Sequence, residues 1–231
     1  HASWSSDRYR HYVENIVSRL AIHYGNNPTV IGWQIDNEPG HYGVVDYSEN
    51  AQAKFRIWLQ KKYGTIDKLN DTWGASFWSE TYQNFEQVRL PNQQEVPDKA
   101  NPHAMLDLNR FMADELAGFV NMQADILRRH IHKDQWITTN LIPIFNPVDP
   151  VRIDHPDFLT YTRYLVTGHN QGIGSQGFRM GIPEDLGFSN DQFRNRVGKA
   201  FGVMELQPGQ VNWGVYNPQP LPGAIRMWVY H

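Results

Sequence analysis

The amino-acid sequence predicts an α/β chain built from parallel β–α units. Stretches with apolar residues at helical spacing alternate with short, continuously apolar runs such as "TVIGWQI" and "QWITTNLI". Such runs suit strands buried on both faces, as in a parallel sheet joined by right-handed crossovers. Long irregular stretches follow strands, which is where a (β/α)8 TIM barrel carries its reactive loops. Only four good strands are legible, whereas a whole barrel of about 250 residues has eight. The expectation is therefore an incomplete (β/α)8 barrel holding its middle and later part, strands about 4 to 7 with their helices, as one domain over residues 1–231.

Each element has its own signal. From Asp7 to Tyr24, residues Tyr9, Tyr12, Val13, Ile16, Val17, Leu20 and Tyr24 recur at helical spacing, and Gly25 follows as a stop. The turn "GNNP" leads into the first strand, "TVIGWQI". Ser48 is an N-cap for a second helix that presents Phe55, Trp58 and Leu59 and leaves at Gly64. Residues 65 to 105 show weak periodicity, many aromatics and several prolines, and read as a long loop. The longest helix is expected over roughly Met105 to His130, where Leu108, Phe111, Met112, Leu116, Phe119, Met122, Ile126 and Leu127 mark one face. Three strands follow: "QWITTNLI", "DFLTYTRYLV" and "KAFGVMEL". A Gly-rich polar stretch separates the last two and reads as a second long loop.

Composition narrows the function classes. With 40% apolar and 13% aromatic residues the chain is globular. A formal charge of -3 and no long Lys/Arg block leave no electrostatic footprint for nucleic acid or an anionic membrane. No apolar stretch is long enough to span a bilayer, and "HASWSSDRYR" lacks the apolar core of a signal peptide. A cytoplasmic location is expected ahead of a periplasmic or secreted one. Because the chain starts at His1, a processed, cropped or fragmentary chain is expected. The absence of cysteine excludes disulfides and thiolate metal sites.

The candidate chemistry lies at strand ends. Glu38, in "VIGWQIDNEPG", stands just beyond the first strand, and Glu205, in "VMELQPG", near the end of the last. Two carboxylates delivered to one barrel mouth are what glycosidic cleavage needs: one protonates the departing oxygen while the other attacks or activates water. Taken singly, each has a plainer reading, Glu38 as a solvated loop acid before a Pro-Gly turn and Glu205 as a strand-end residue bonded to backbone.

Together with their neighbours they carry a resemblance. "VIGWQIDNEPG", "FRIWLQKKYGTIDKLNDTWGASFWSETY", "DLNRFMADELAGFVNMQADILRRH", "WITTNL" and "VMELQPGQVNWGVYNPQPLPGAIRMW" resemble glycoside hydrolase family 42, the bacterial β-galactosidases, over nearly the whole chain. The resemblance implies a retaining exo-β-galactosidase, without a cofactor, acting on terminal β-galactosyl residues. It implies Glu38 as acid/base, Glu205 as nucleophile, and Asn37 as the asparagine that hydrogen-bonds the sugar 2-hydroxyl. Trp78 in "FWS" and Trp213 in "QVNW" match aromatics lining the galactose pocket, and Asn140 and Tyr164 match strand-end polar groups. Around Tyr164 the family's aspartate and following Tyr-Pro are replaced by "TRYLV". Many members carry a zinc-binding cysteine cluster after the acid/base strand; "HYGVVDYSENAQAKF" holds none, so no structural zinc is expected there. The family also suggests a homotrimer.

The 10 histidines show no HExxH pattern, and His130 and His132 suit a helix C-terminus, where a cation complements the macrodipole. Two rival functions remain at this level: an endo-β-glycanase of a related barrel family, and a non-catalytic carbohydrate-binding protein.

Overall fold

The structure is a computed structural model that describes residues 3–40, 45–92, 101–142, 148–164 and 200–207. Helix α1, Asp7–Tyr24, begins where the Ser6 side chain accepts the Tyr9 amide, and its last turn packs tightly on the segment after the longest helix. Gly25 belongs there because a Cβ would lie 2.5 Å from the His130 carbonyl oxygen. Helix α2, Glu49–Tyr63, is capped by Ser48, which accepts the Ala51 amide at 3.2 Å, and it buries Ala51, Phe55 and Leu59, one residue per turn.

The stretch expected as a long loop contains a further helix, α3, Ile66–Trp73, and a single 3-10 turn at Phe85–Gln87. Two buried apolar side chains, Leu69 and Trp73, are too few to make periodicity visible. The caps make the helix: the Thr65 side chain accepts the Lys68 amide, and Gly74 closes the end at φ 60, a left-handed conformation that favours glycine. Helix α4 runs Pro102–Arg128 and so starts earlier than the apolar pattern suggests. Asn101 accepts the amides of His103 and Ala104, and Pro102 occupies the first turn, where its missing N–H costs nothing.

Helix α4 links two cores. Its first half packs Leu108, Phe111 and Met112 against Phe55, Leu59, Leu69 and Trp73 of α2 and α3. The buried Asp107 carboxylate ties the same region together, accepting from Lys62, from the Trp73 indole at 3.0 Å and from the Tyr63 hydroxyl. Its second half packs Leu116, Val120, Ala124 and Leu127 against Ile35, Ile137, Leu141, Leu159 and Tyr161 of the sheet.

The strands are β1, Gly32–Gln34; β2, Trp136–Thr138; β3, Asn140–Leu141; β4, Leu159–Tyr164; and β5, Phe201–Gln207. β2 and β3 are successive pieces of one extended run: β1 pairs in parallel with β2, and β4 in parallel with β3. The Ile35 amide donates to Thr138 O, and the Thr160 amide to Thr139 O, so the arc is continuous through the join. Gly32 lies opposite Trp136, whose ring covers the place a Cβ would take. β4 pairs in parallel with β5, in a register that places Tyr161 opposite Val203 and then Thr162 opposite Glu205. The order along the arc follows the chain, with helices on one side, as in part of a (β/α) barrel. The expected loop between the last two strands lies outside the described residues. No helix among the described residues is long and apolar enough to cross a membrane.

Candidate active site

The C-terminal ends of the strands bring Asn37, Glu38, Asn140 and Glu205 together. The chain leaves β1 and turns over the neighbouring strand, where the Glu38 amide donates to Asn140 O at 2.9 Å. That turn forces Asp36 to φ 54 and Glu38 to φ 49. Left-handed backbone costs an L-residue about 1–2 kcal/mol, and Asp tolerates it better than Glu. The strain at Glu38 is thus a cost of holding this carboxylate at the strand ends.

Asn140 is fully buried, and its Nδ2 donates to Glu205 Oε1 at 2.8 Å and to Thr162 Oγ1 at 2.7 Å. Thr162 in turn donates its hydroxyl to Glu38 Oε1 at 2.8 Å. The two half-buried glutamates are therefore linked by three consecutive hydrogen bonds through Thr162 and Asn140. Asn37 is fixed from below, its Oδ1 accepting from Gln34 Nε2 at 3.1 Å and its amide donating to Asp36 Oδ1 at 2.9 Å. Although Asp36 as a residue is exposed, protein around its carboxyl strips enough hydration to push it above the usual carboxylate range; the Asn37 amide acts the other way.

The β4–β5 irregularity shapes this site. The register passes from Tyr161 opposite Val203 to Thr162 opposite Glu205, which leaves Met204 as the extra residue of a bulge. A bulge bends its strand and re-aims side chains, and here it sets Glu205 across from Thr162.

The other expected site residues stand differently. Trp78 lies in the turn after α3, where its ring meets Phe77 edge-on at 5.2 Å and its amide donates to Ala75 O. Tyr164 ends β4, with its side chain outside the described residues, as is the whole of Trp213. Among the described residues no group of three or more His, Asp or Glu side chains is placed to hold a metal ion.

Comparison with known proteins gives the family of the chain. The model of the family described as "Beta-galactosidase" (Glyco_hydro_42) matches residues 1–231. The chain belongs to glycoside hydrolase family 42. This family-42 chain is 37% identical over 238 residues to β-galactosidase BgaA of a Thermus species, covering 100% of the chain and 36% of that relative. It is similar to the crystal structure of a β-galactosidase from the psychrophilic Marinomonas ef1, with a TM-score of 0.85 and 34% identity, over 100% of the chain and 36% of that structure. The β-galactosidase of the Antarctic haloarchaeon Halorubrum lacusprofundi gives a TM-score of 0.84 and 32% identity, again over 100% of the chain and 36% of that structure. The family-42 chain thus spans about a third of the length of these relatives.

Sequence reasoning missed Thr162. A threonine inside a strand is ordinary β-propensity, and the polar strand-end residue that the resemblance points to is Tyr164, two residues on. The available signal was the departure from the family's aspartate pattern at "TRYLV", which placed an unusual residue beside the site.

Proposed function

We propose that the chain forms the acid/base and nucleophile side of a retaining exo-β-galactosidase, its strands corresponding to about the fourth to seventh of the barrel. The observation that carries this reading is the hydrogen-bonded link between Glu38 and Glu205 across Thr162 and Asn140. Retention needs carboxyl groups about 5–5.5 Å apart, against roughly 6.5–9.5 Å for inversion, so the retaining assignment rests on the family resemblance, while the link supports the pairing of these two carboxylates.

Glu205, ionised and held at Oε1 by Asn140, attacks the anomeric carbon. Glu38, protonated, gives its proton to the departing glycosidic oxygen, and the galactosyl group is left as an ester on Glu205. Glu38, now a carboxylate, takes a proton from water as the water's oxygen attacks the anomeric carbon and frees Glu205. Asn37 Oδ1 accepts from Gln34 and lies 3.5 Å from Asn140 Nδ2, so its Nδ2 donors are the groups it has to offer a sugar 2-hydroxyl most readily. Trp78, Tyr164 and Trp213 are proposed to complete the galactose pocket. A galactoside is the substrate, no cofactor takes part, and a homotrimer is the proposed assembly.

Replacing the nucleophile tests the reading. In the natural full-length protein, Glu205→Gly should lower hydrolysis of an aryl β-galactoside by at least about 10³-fold. Added azide should then restore turnover and yield an α-galactosyl azide. Near-native hydrolysis without azide, or a β-azide product, would overturn it.

A further inference from the structure

We propose that Thr162 is the positioning residue of the acid: by donating to Glu38 Oε1 it places the acid proton on Oε2. The inference rests on the acid/base reading of Glu38 given above.

The polarity of the hydrogen-bond chain supports it. An amide nitrogen only donates, and Nδ2 of Asn140 has two hydrogens. Its two short partners are Thr162 Oγ1 at 2.7 Å and Glu205 Oε1 at 2.8 Å, while Asn37 Oδ1 at 3.5 Å is distant. Turning the amide round would press Oδ1 against the Glu205 carboxylate, acceptor on acceptor. In the orientation present, the buried Oδ1 has no hydrogen-bond partner among the described residues, an unfavourable arrangement that the two donor bonds outweigh. Asn140 therefore fixes the direction of the chain.

Thr162 has a single hydroxyl hydrogen. Because its oxygen already accepts from Asn140, that hydrogen is directed to Glu38 Oε1 at 2.8 Å. The β-branched side chain is stiff at χ1, so the hydroxyl is aimed by the β4 backbone itself. Thr162 also stands where the β4–β5 register shifts, opposite Glu205. One residue thus faces the partner carboxylate across the ladder and bonds the acid directly.

When Glu38 is protonated, Oε1 serves as the carbonyl-type oxygen that accepts from Thr162, and the proton sits on Oε2. As the glycosidic C–O bond breaks, that proton passes to the departing oxygen and its bonding electrons stay on Oε2. The Thr162 bond to Oε1 persists in both states. Without the hydroxyl, the bias that Thr162 places on Oε2 is lost and the acid is aimed less well.

The test uses leaving groups. In the natural full-length protein, Thr162→Val and Thr162→Ser are assayed on methyl β-galactoside, which needs a full proton, and 2,4-dinitrophenyl β-galactoside, which needs little. Thr162→Val should lower kcat/KM about 10- to 100-fold on the methyl substrate and less than about 5-fold on the dinitrophenyl one. Thr162→Ser should restore the methyl rate to within about 3-fold of wild type. The ratio of the two rates within one preparation cancels any loss of folded protein. An unchanged ratio in Thr162→Val, or a serine variant as impaired as valine, would overturn the inference while leaving the β-galactosidase reading intact. A wild-type protein inactive on both substrates would overturn both.

Discussion

Replacing Asn140 with alanine should separate activity from stability. The amide makes one bond to a carboxylate, at 2.8 Å to Glu205, and one to a hydroxyl, at 2.7 Å to Thr162. The first is worth about 1.5–3 kcal/mol and the second about 0.5–1.5 kcal/mol. Against these stands the buried Oδ1, which has no hydrogen-bond partner among the described residues and whose removal returns about 1–3 kcal/mol. The two sides nearly cancel, so folding stability should move by about 1 kcal/mol, or a Tm change under about 4 °C in a domain of this size. Catalysis has no such compensation. On the mechanism proposed above, charge leaves Glu205 in the transition state, so the Asn140 bond would serve to orient the attacking carboxylate rather than to hold its charge. The loss is then bounded by the bond's own worth, about 10- to 150-fold in kcat/KM at 1.36 kcal/mol per decade. It should fall mainly on kcat. The assay is steady-state hydrolysis of an aryl β-galactoside by the natural full-length protein, beside thermal melting of the same preparation. A rate within about 3-fold of wild type, or a Tm fall above about 8 °C that alone explains the lost rate, would refute the reasoning.

Two further predictions concern the frame of the site. Gly32→Ala places a Cβ 2.0 Å from the Trp136 ring in the β1–β2 pair, so melting should show a loss of about 1–3 kcal/mol or more; an unchanged Tm would mean the ring is not seated there. Asp36 has its folded pKa raised above the ordinary value of 3.8, so its ionised form costs stability at neutral pH, and that cost fades as pH falls through the folded pKa. Asp36→Asn should therefore melt higher than wild type at pH 7, with the difference shrinking towards pH 4. An advantage constant across that range would rule out titration of Asp36 as its cause.

Much of the frame was legible in the residues, and what was missed has local causes. Asp7–Tyr24 and Glu49–Tyr63 match the sequence reading in extent because glycine exits close runs of repeated apolar positions, although on α1 Tyr12, Ile16, Leu20 and Tyr24 are exposed and Ala21 is the buried residue. Helix α3 escaped notice because eight residues give periodicity too few turns to declare itself, leaving only Thr65 and Gly74 as signals. Pro102 looked like loop, although behind Asn101 it opens a helix. The strands were found but not their division: "QWITTNLI" pairs one neighbour before Thr139 and another after it, a consequence of sheet curvature rather than of the run itself. At the site, Asn37, Glu38, Asn140 and Glu205 could be proposed from strand-end position and resemblance. Thr162 could not, because its importance lies in the direction of a hydrogen-bond chain that only the packed strands create.

The left-handed backbone at Glu38 also sets a trade-off for this protein's history. At φ 49 a glycine or asparagine would sit with less strain than glutamate. Position 38 is thus a place where a gain in heat resistance and the loss of the acid come in one substitution. A lineage, or a laboratory library, screened for thermal endurance alone would drift away from glutamate there. On the acid/base reading proposed for Glu38, the strained glutamate is a place where heat resistance is given up for turnover.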